Sequence, residues 1–342
     1  MDSKLMQWKI DRQTKTYLNT NRFYSDPKVW MFMLTGGRGI GKTTNIVADC
    51  IDDFKKRGNE FVYVRRYKTE IVKCKELLQP IVSDTNIKGI GNGIFQYECK
   101  KVRIGYGCAL SLQASYKSGI DFSKVNTIVF DEAILMPGGR YLPNECTTFL
   151  ELLSTIVRTR VGYRVFILGN NLDLFNPYYE YFNIPRFEDR YVDRERGICC
   201  ENLKHRDELI KKEQETPLYR LTKGTEYGNY HYENEVLVEN KGTICIKPKE
   251  AELTFRIVVN DFTLNVYRCG VISLYIELRE KVIKDDRTFV LYENTKPNYL
   301  YIKMLRESDE RYLLYNAFYD GVVMYNNKQA IGVFAMIMDE VL

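Results

Sequence analysis

A chain of 342 residues exceeds the size at which single hydrophobic cores stop growing, about 250 to 300 residues, so two domains are expected. Its 50 Lys+Arg against 45 Asp+Glu leave a net charge of +5, which permits a polyanionic partner without requiring one. No apolar stretch approaches the ~18 to 20 residues of a spanning helix, and Met1-Asp2-Ser3-Lys4 lacks a signal peptide's apolar region, so a soluble intracellular protein without a membrane partner is expected.

Residues 1 to about 28 are polar, end in Ser25-Asp26-Pro27, and read as an N-terminal extension. The apolar run 30–34 predicts a buried strand, and residues 44–56, apolar at Ile46, Val47, Cys50, Ile51 and Phe54, predict a helix. Between them Gly36-Gly37-Arg38-Gly39-Ile40-Gly41-Lys42-Thr43 fits G-x-x-x-x-G-K-[ST]. Strand, glycine loop and helix are the context of a nucleotide-phosphate site, here 36–43 with Thr44 following. The glycines let backbone N–H groups close around phosphates, Lys42 reaches the β- and γ-phosphates, and the Thr43 hydroxyl ligates Mg2+. ATP and Mg2+ are the cofactors this implies.

Residues 61–64 predict a second strand, followed by Arg65-Arg66-Tyr67-Lys68 and a helix over about 69–78. Short β segments are expected at 94–97, 102–106 and 109–112. Residues 113–119 then form a polar loop. It is either a solvated connection or a place where Lys117 and Ser118 touch a phosphate backbone without reading sequence. The strand 127–130 ends in Asp131-Glu132. An acid at the carboxyl end of a buried strand can hold the Mg2+ hydration shell opposite Thr43, and Glu132 beside it can orient or deprotonate a water for attack on a γ-phosphate. That pairing favours hydrolysis over transfer to a small acceptor.

A helix over 144–158 leads to Arg158-Thr159-Arg160, cations that either complement a helix dipole or neutralise a phosphoryl group on a neighbouring subunit. After a fourth strand at 164–168, Asn170 is either a turn residue or a contact to the γ-phosphate or its attacking water. The alternation implies an α/β domain over 1–203, a P-loop NTPase domain with a mainly parallel sheet and ligands beyond the carboxyl ends of its strands. Residues 204–234 read as a charged linker, and 235–342 as an α+β domain with strands at 255–259, 263–267, 271–275 and 288–292 and a helix over 309–325. Nine cysteines without a C-x-x-C pair, and two histidines at no metal-ligand spacing, read as reduced thiols rather than a zinc site. The 26 tyrosines read as packing residues.

Together the segments 36–43, 61–68 (F-V-Y-V-R-R-Y-K), 127–132 (T-I-V-F-D-E), 157–160 (V-R-T-R), 224–228 (G-T-E-Y-G) and the strand around Phe262-Thr263-Leu264 resemble the DNA-packaging motor ATPase of small short-tailed phages. This is the Picovirinae type, within the additional-strand, catalytic-glutamate P-loop superfamily. The resemblance implies a homo-oligomeric ring, of five subunits, that drives double-stranded DNA into a procapsid at its portal vertex in the host cytoplasm, with a packaging RNA as a further partner. It implies Lys42 and Thr43 as phosphate and magnesium ligands, Asp131 on magnesium, Glu132 as catalytic glutamate, Arg158 as trans-acting finger and Lys68 as a second trans-acting cation. It also implies Lys117 on DNA and Arg38 near the γ-phosphate. The second domain is implied to be RNase-H-like and without catalysis. Its acids Asp261, Glu277, Asp285 and Asp286 are expected to be solvated rather than to bind two metals. The alternatives are a large-terminase-like enzyme with an active nuclease, and a nucleotide-switch component of the vertex.

Overall fold

The computed structural model describes residues 18–37, 39–72, 74–79, 81–82, 84–91, 93–115, 119–135, 141–169, 176–185, 187–203, 210–211, 214–225, 228, 243–292, 299–301 and 309–341. Contacts divide the chain into two units: Met1–Ile134, Thr147–Leu172 and Glu188–Glu235 form one, and Leu135–Cys146, Asp173–Phe187 and Val236–Leu342 the other. The second unit thus takes in two segments, 135–146 and 173–187, from the stretch that the sequence pattern assigns to the first domain.

In the first unit, β1 (Met31–Gly36) is buried throughout and feeds the glycine loop and α1 (Lys42–Arg57). α1 packs Ile46, Val47, Cys50 and Ile51 into the core and stops at Gly58, whose left-handed φ of 74° caps the helix. β2 (Glu60–Arg65) follows, then two short helices, α2 (Lys68–Val72) and α3 (Cys74–Leu78), in place of the single helix expected over 69–78. β3 (Thr85–Gly91), β4 (Ile94–Cys99) and β5 (Val102–Ala109) form a meander. Past Ala109 the chain turns into a 3-10 helix, Leu110–Ser115, rather than the expected strand over 109–112, because Ser111 N–H donates to the Arg66 carbonyl instead of a neighbouring strand.

β6 (Val125–Ile134), α4 (Glu145–Val157) and β7 (Arg164–Gly169) come next. α5 (Pro177–Tyr181) follows in the chain but belongs to the second unit, and is capped by the Asn176 side chain. The hairpin β8 (Arg190–Asp193) and β9 (Ile198–Leu203) closes this stretch. The nine strands run in the order β3-β4-β5-β2-β6-β7-β1-β9-β8. Every pairing from β5 to β9 in that order is parallel, and antiparallel pairs stand at both edges. The mainly parallel sheet is therefore mixed at its margins. The stretch read as an N-terminal extension is part of the core from Leu18 onward: Phe23 is buried and its ring lies 5.4 Å from that of Phe32. Within 204–234 the described residues include α6 (Pro217–Thr222), capped by Thr216.

The second unit holds β10 (Thr243–Ile244), β11 (Glu252–Val259), β12 (Phe262–Cys269), β13 (Ser273–Arg279), β14 (Thr288–Val290), β15 (Leu300–Tyr301), α7 (Asp309–Tyr319), β16 (Val323–Tyr325) and α8 (Lys328–Val341). The order β10-β16-β13-β12-β11-β14-β15 places an antiparallel meander at its centre, flanked by parallel pairs. The helix expected over 309–325 ends at Tyr319, because Gly321 adopts φ 69° and releases the chain into β16. Alternate residues Ile257, Leu264 and Ile276 meet Leu314, Phe334 and Ile337 in one core.

Close β2–β5 packing makes Gly105 irreplaceable: a Cβ there would lie 2.4 Å from the Phe61 carbonyl oxygen. Gly105→Ala is expected to destabilise the protein by about 1 to 3 kcal/mol, checked by urea unfolding; an unchanged midpoint would show that the strands can part.

Candidate active site

The glycine loop has the backbone that only glycine adopts without strain. Gly36, Gly39 and Gly41 have φ of 144°, 84° and 81°, and a Cβ on Gly36 would lie 2.3 Å from the Leu203 carbonyl oxygen. Ile40 O accepts from Leu18 N–H at 3.1 Å, and Leu18 O accepts from Asn45 Nδ2 at 2.9 Å, so the segment before β1 braces the loop. Lys42 is buried and its ammonium donates to the Gly36 and Gly37 carbonyls at 2.7 and 2.8 Å. Thr43 and Thr44 lie half-buried on the first turn of α1. Arg38 lies outside the described residues.

Asp131 is the centre of the site. Its Oδ1 accepts from the Thr43 hydroxyl at 2.8 Å, and its Oδ2 accepts from the Tyr63 hydroxyl at 2.6 Å and from Arg65 Nη1 at 3.1 Å. Arg65 uses its other arm on Glu132, with Nη2 to Oε2 at 2.5 Å, and the same nitrogen lies 3.6 Å from Glu70 Oε1. Burial works against the Arg65 charge, but Tyr63, Asp131, Glu132 and Glu70 around it outweigh that and raise its pKa. Burial first, and then the Asp131 carboxylate, push the Tyr63 phenol well above its ordinary pKa, so it stays a hydrogen-bond donor.

Glu132 stands on a bulge, where the β6–β7 register shifts between Phe130 and Ile134. Its φ is 53°, left-handed for a residue with a Cβ, and Arg66 holds the bulge by donating to the Glu132 carbonyl at 3.1 Å and the Ala133 carbonyl at 2.8 Å. The Glu132 side chain is 47% exposed while that of Asp131 is only 11% exposed. One acid is fixed inside and the other faces out. Tyr63 reads in sequence as a core aromatic and Arg65-Arg66 as an ambiguous basic pair. Their role depends on β2 lying beside β6, which periodicity does not report.

The donor set suits Mg2+-ATP: a hydroxyl and a carboxylate oxygen meet at the foot of a glycine cradle, and hard oxygen donors are what Mg2+ requires. Lys68 opens α2, just past the carboxyl end of β2, and is exposed. Arg158 is at the other end of the sheet. It follows α4 directly, is exposed, has φ 50°, and is two residues from Arg160, which bonds the Ser123 and Val125 carbonyls where β6 begins. From Val125 to Asp131 the strand advances roughly 20 Å at about 3.3 Å per residue. The structure therefore does not bring Arg158 to the acids of its own chain. Asn170, Lys117 and Ser118 lie outside the described residues.

Residues 12–339 match the profile of the podovirus DNA encapsidation protein (Gp16) family. A DNA packaging protein of Bacillus phage phi29 is 27% identical over 318 residues, 91% of this chain and 94% of the relative. One from Bacillus phage PZA is 30% identical over 254 residues, 73% of this chain and 75% of the relative. Among solved structures, the bacteriophage phi29 viral genome packaging motor assembly is similar at 26% identity and a TM-score of 0.53, covering 93% of this chain and 96% of that one.

Arg158 occupies the position after a helix where glycine is usual, and its side chain has no hydrogen bond or ion pair among the described residues. Arg158→Gly is expected to raise unfolding stability by up to about 1 kcal/mol and to lower ATP turnover. Thermal melts and ATPase assays on the same preparation check both; a destabilised variant would show that the backbone there carries no strain.

Proposed function

We propose, from the premise that this chain belongs to the podovirus DNA encapsidation protein (Gp16) family, how its residues carry out ATP-driven packaging of viral DNA. The chain is a packaging ATPase that acts in the host cytoplasm, transiently at the portal vertex of a procapsid. The single observation that carries the mechanistic reading is the continuous path from the glycine loop through Thr43 to Asp131 and, by Arg65, to Glu132.

Lys42, Thr43 and Asp131 hold Mg2+-ATP in this reading, with Gly36, Gly37, Arg38, Gly39, Ile40, Gly41 and Thr44 completing the phosphate cradle. Bound Mg2+ supplies charge neutralisation on the phosphates. Asp131 keeps its place because both of its oxygens are engaged by protein donors. Glu132 acts as general base: its half-exposed carboxylate accepts a proton from a water aligned with the γ-phosphate, and Arg65 sets where that carboxylate points. Arg66 fixes the bulge that turns Glu132 outward.

Arg158, roughly a strand's length from its own acids, serves the site of a neighbouring copy, and Lys68 is a second such cation. This requires a ring of copies in head-to-tail contact, of which five is the proposed number. Lys117 and Ser118 touch the double-stranded DNA backbone, and Asn170 contacts the γ-phosphate or its water. A packaging RNA is proposed as a further partner at the vertex.

The second unit is read as RNase-H-like, a reading supported by its strand order, with β13-β12-β11 antiparallel and then β14 and β15 parallel to β11. We read it as non-catalytic. Asp261 is exposed in the turn between β11 and β12, Asp286 is exposed, Asp285 contacts Arg256, and Glu277 is bound by Arg279, Asn265 and Tyr267. Among the described residues no three His, Cys, Asp or Glu side chains converge as a metal site.

Glu132→Gln is expected to bind ATP while turnover falls by about two to four orders of magnitude; near-normal hydrolysis would remove Glu132 from the chemistry. Stimulation of the wild-type ATPase by double-stranded DNA should weaken steeply as salt rises. Stimulation that is indifferent to salt would argue against phosphate-backbone contacts.

A further inference from the structure

We infer that Arg160 is a positioning residue, a guanidinium clamp that fixes the direction in which the Arg158 side chain is offered to a neighbouring copy. The inference rests on the reading of Arg158 as trans-acting. Arg160 Nη1 donates to the Ser123 carbonyl at 3.0 Å and the Val125 carbonyl at 2.5 Å, while Nη2 donates to the Ile156 carbonyl at 2.7 Å. One planar group thereby joins the last turn of α4 to the start of β6. Ile156 lies in that last turn, where carbonyls lack intrahelical partners and a cation complements the helix dipole.

The turn between these anchors is tied by its own backbone: Arg158 N–H donates to Ser154 O at 3.0 Å and Arg160 N–H to Val157 O at 2.9 Å. Packing on one side is open, since a cavity of about 450 Å3 bounded by residues 119–123, 155–156 and 158–160 lies against the turn. With φ 50° and no side-chain partner among the described residues, Arg158 owes its direction to the backbone that carries it. A residue in a sparsely populated conformation persists only where its surroundings over-determine it. The three-carbonyl clamp of Arg160 is that constraint. Lysine, a point charge on a flexible stem, cannot reproduce the fork.

This role differs from simple stabilisation in one respect: it concerns the subunit that lends Arg158, not the subunit that receives it. The test mixes two full-length variants and reads DNA-stimulated ATPase. Arg158→Ala chains keep a nucleotide site but lend no arginine; Lys42→Ala chains lend the arginine but hydrolyse nothing. Their mixture is expected to be active where neither is alone. Placing Arg160→Lys in the Lys42→Ala chain should lower the activity of the mixture by roughly tenfold to a hundredfold, the scale of a misplaced catalytic group. Placing Arg160→Lys in the Arg158→Ala chain should change it by less than about twofold, since the acceptor site is intact. Arg160→Ala, with its folding checked by thermal melting, is expected to give the same asymmetry in the mixed ATPase assay if the clamp acts through Arg158. Equal loss in both placements, or loss in neither, overturns the inference alone. If the unaltered mixture of Arg158→Ala and Lys42→Ala chains stays inactive, the trans reading falls and takes the inference with it.

Discussion

One buried carboxylate holds the nucleotide unit's working parts in register. Asp131 is 8% exposed, and a charge at that depth must be matched by donors on each side. Thr43 supplies one from the first turn of α1, and Tyr63 and Arg65 supply two from β2. Neither set is adjustable. Tyr63 pairs with Val129 in the parallel ladder, so strand register alone sets Tyr63 and Arg65 beside the acid. The glycine loop, β2 and β6 cannot shift against one another without leaving a buried charge short of a donor. A change at the phosphate end of α1 therefore bears on Glu132 through one hydroxyl, one carboxylate and one guanidinium.

Backbone strain marks this site and the end of α4. Of the non-glycine residues with left-handed backbones, Asn144, Asn183 and Asn260 are of a type that tolerates it. Lys100 and Lys101 make the two-residue turn between β4 and β5, where both positions need φ above zero, and Asp84 lies in the adjoining turn. Among the described residues Glu132 and Arg158 remain, and no hairpin or side-chain preference accounts for either. Both are held by an arginine that bonds main-chain carbonyls: Arg66 at the bulge and Arg160 at the helix end. The chain uses the same device at opposite ends of β6, a rigid fork of donors aimed at carbonyls that a bulge or a helix terminus has left free.

What the sequence shows of this site is what lies contiguously in it. The run 36–43 and the pair Asp131-Glu132 are legible because a phosphate loop and a strand-end acid are local patterns. Arg65 and Tyr63 are not, since their meaning comes from β2 lying beside β6, a pairing across more than sixty residues. The same reason hides β9: Ile-Cys-Cys-Glu-Asn-Leu is no clear strand until β1 pairs with it in parallel. β3 escapes for the opposite reason. As an exposed edge strand with two glycines it lacks the hydrophobic alternation by which strands are read. Leu18 and Phe23 sit in polar sequence, and only the tertiary fold turns them into a brace for the loop and part of the core.

In the second unit, the sheet face turned away from the helices carries a row of side chains that does not suit a metal centre. Arg256, Asn265 and Glu277 are cross-strand neighbours in one row over β11, β12 and β13, opposite the face that packs on α7 and α8. A two-metal centre needs several carboxylates to converge, so that cation charge offsets their repulsion. Here the row begins with a guanidinium, which contacts Asp285. The one acid in the row, Glu277, is pushed up in pKa by burial, but hydrogen bonds from Arg279, Asn265 and Tyr267 outweigh that and hold it below its ordinary value. Three of its lone pairs are thus taken by protein donors. A cation entering the row would have to displace those donors and stand near Arg256, and both costs oppose it. The packing that holds the sheet lies on its other face, where Phe255, Ile257, Leu264 and Ile276 meet Phe334 and Ile337.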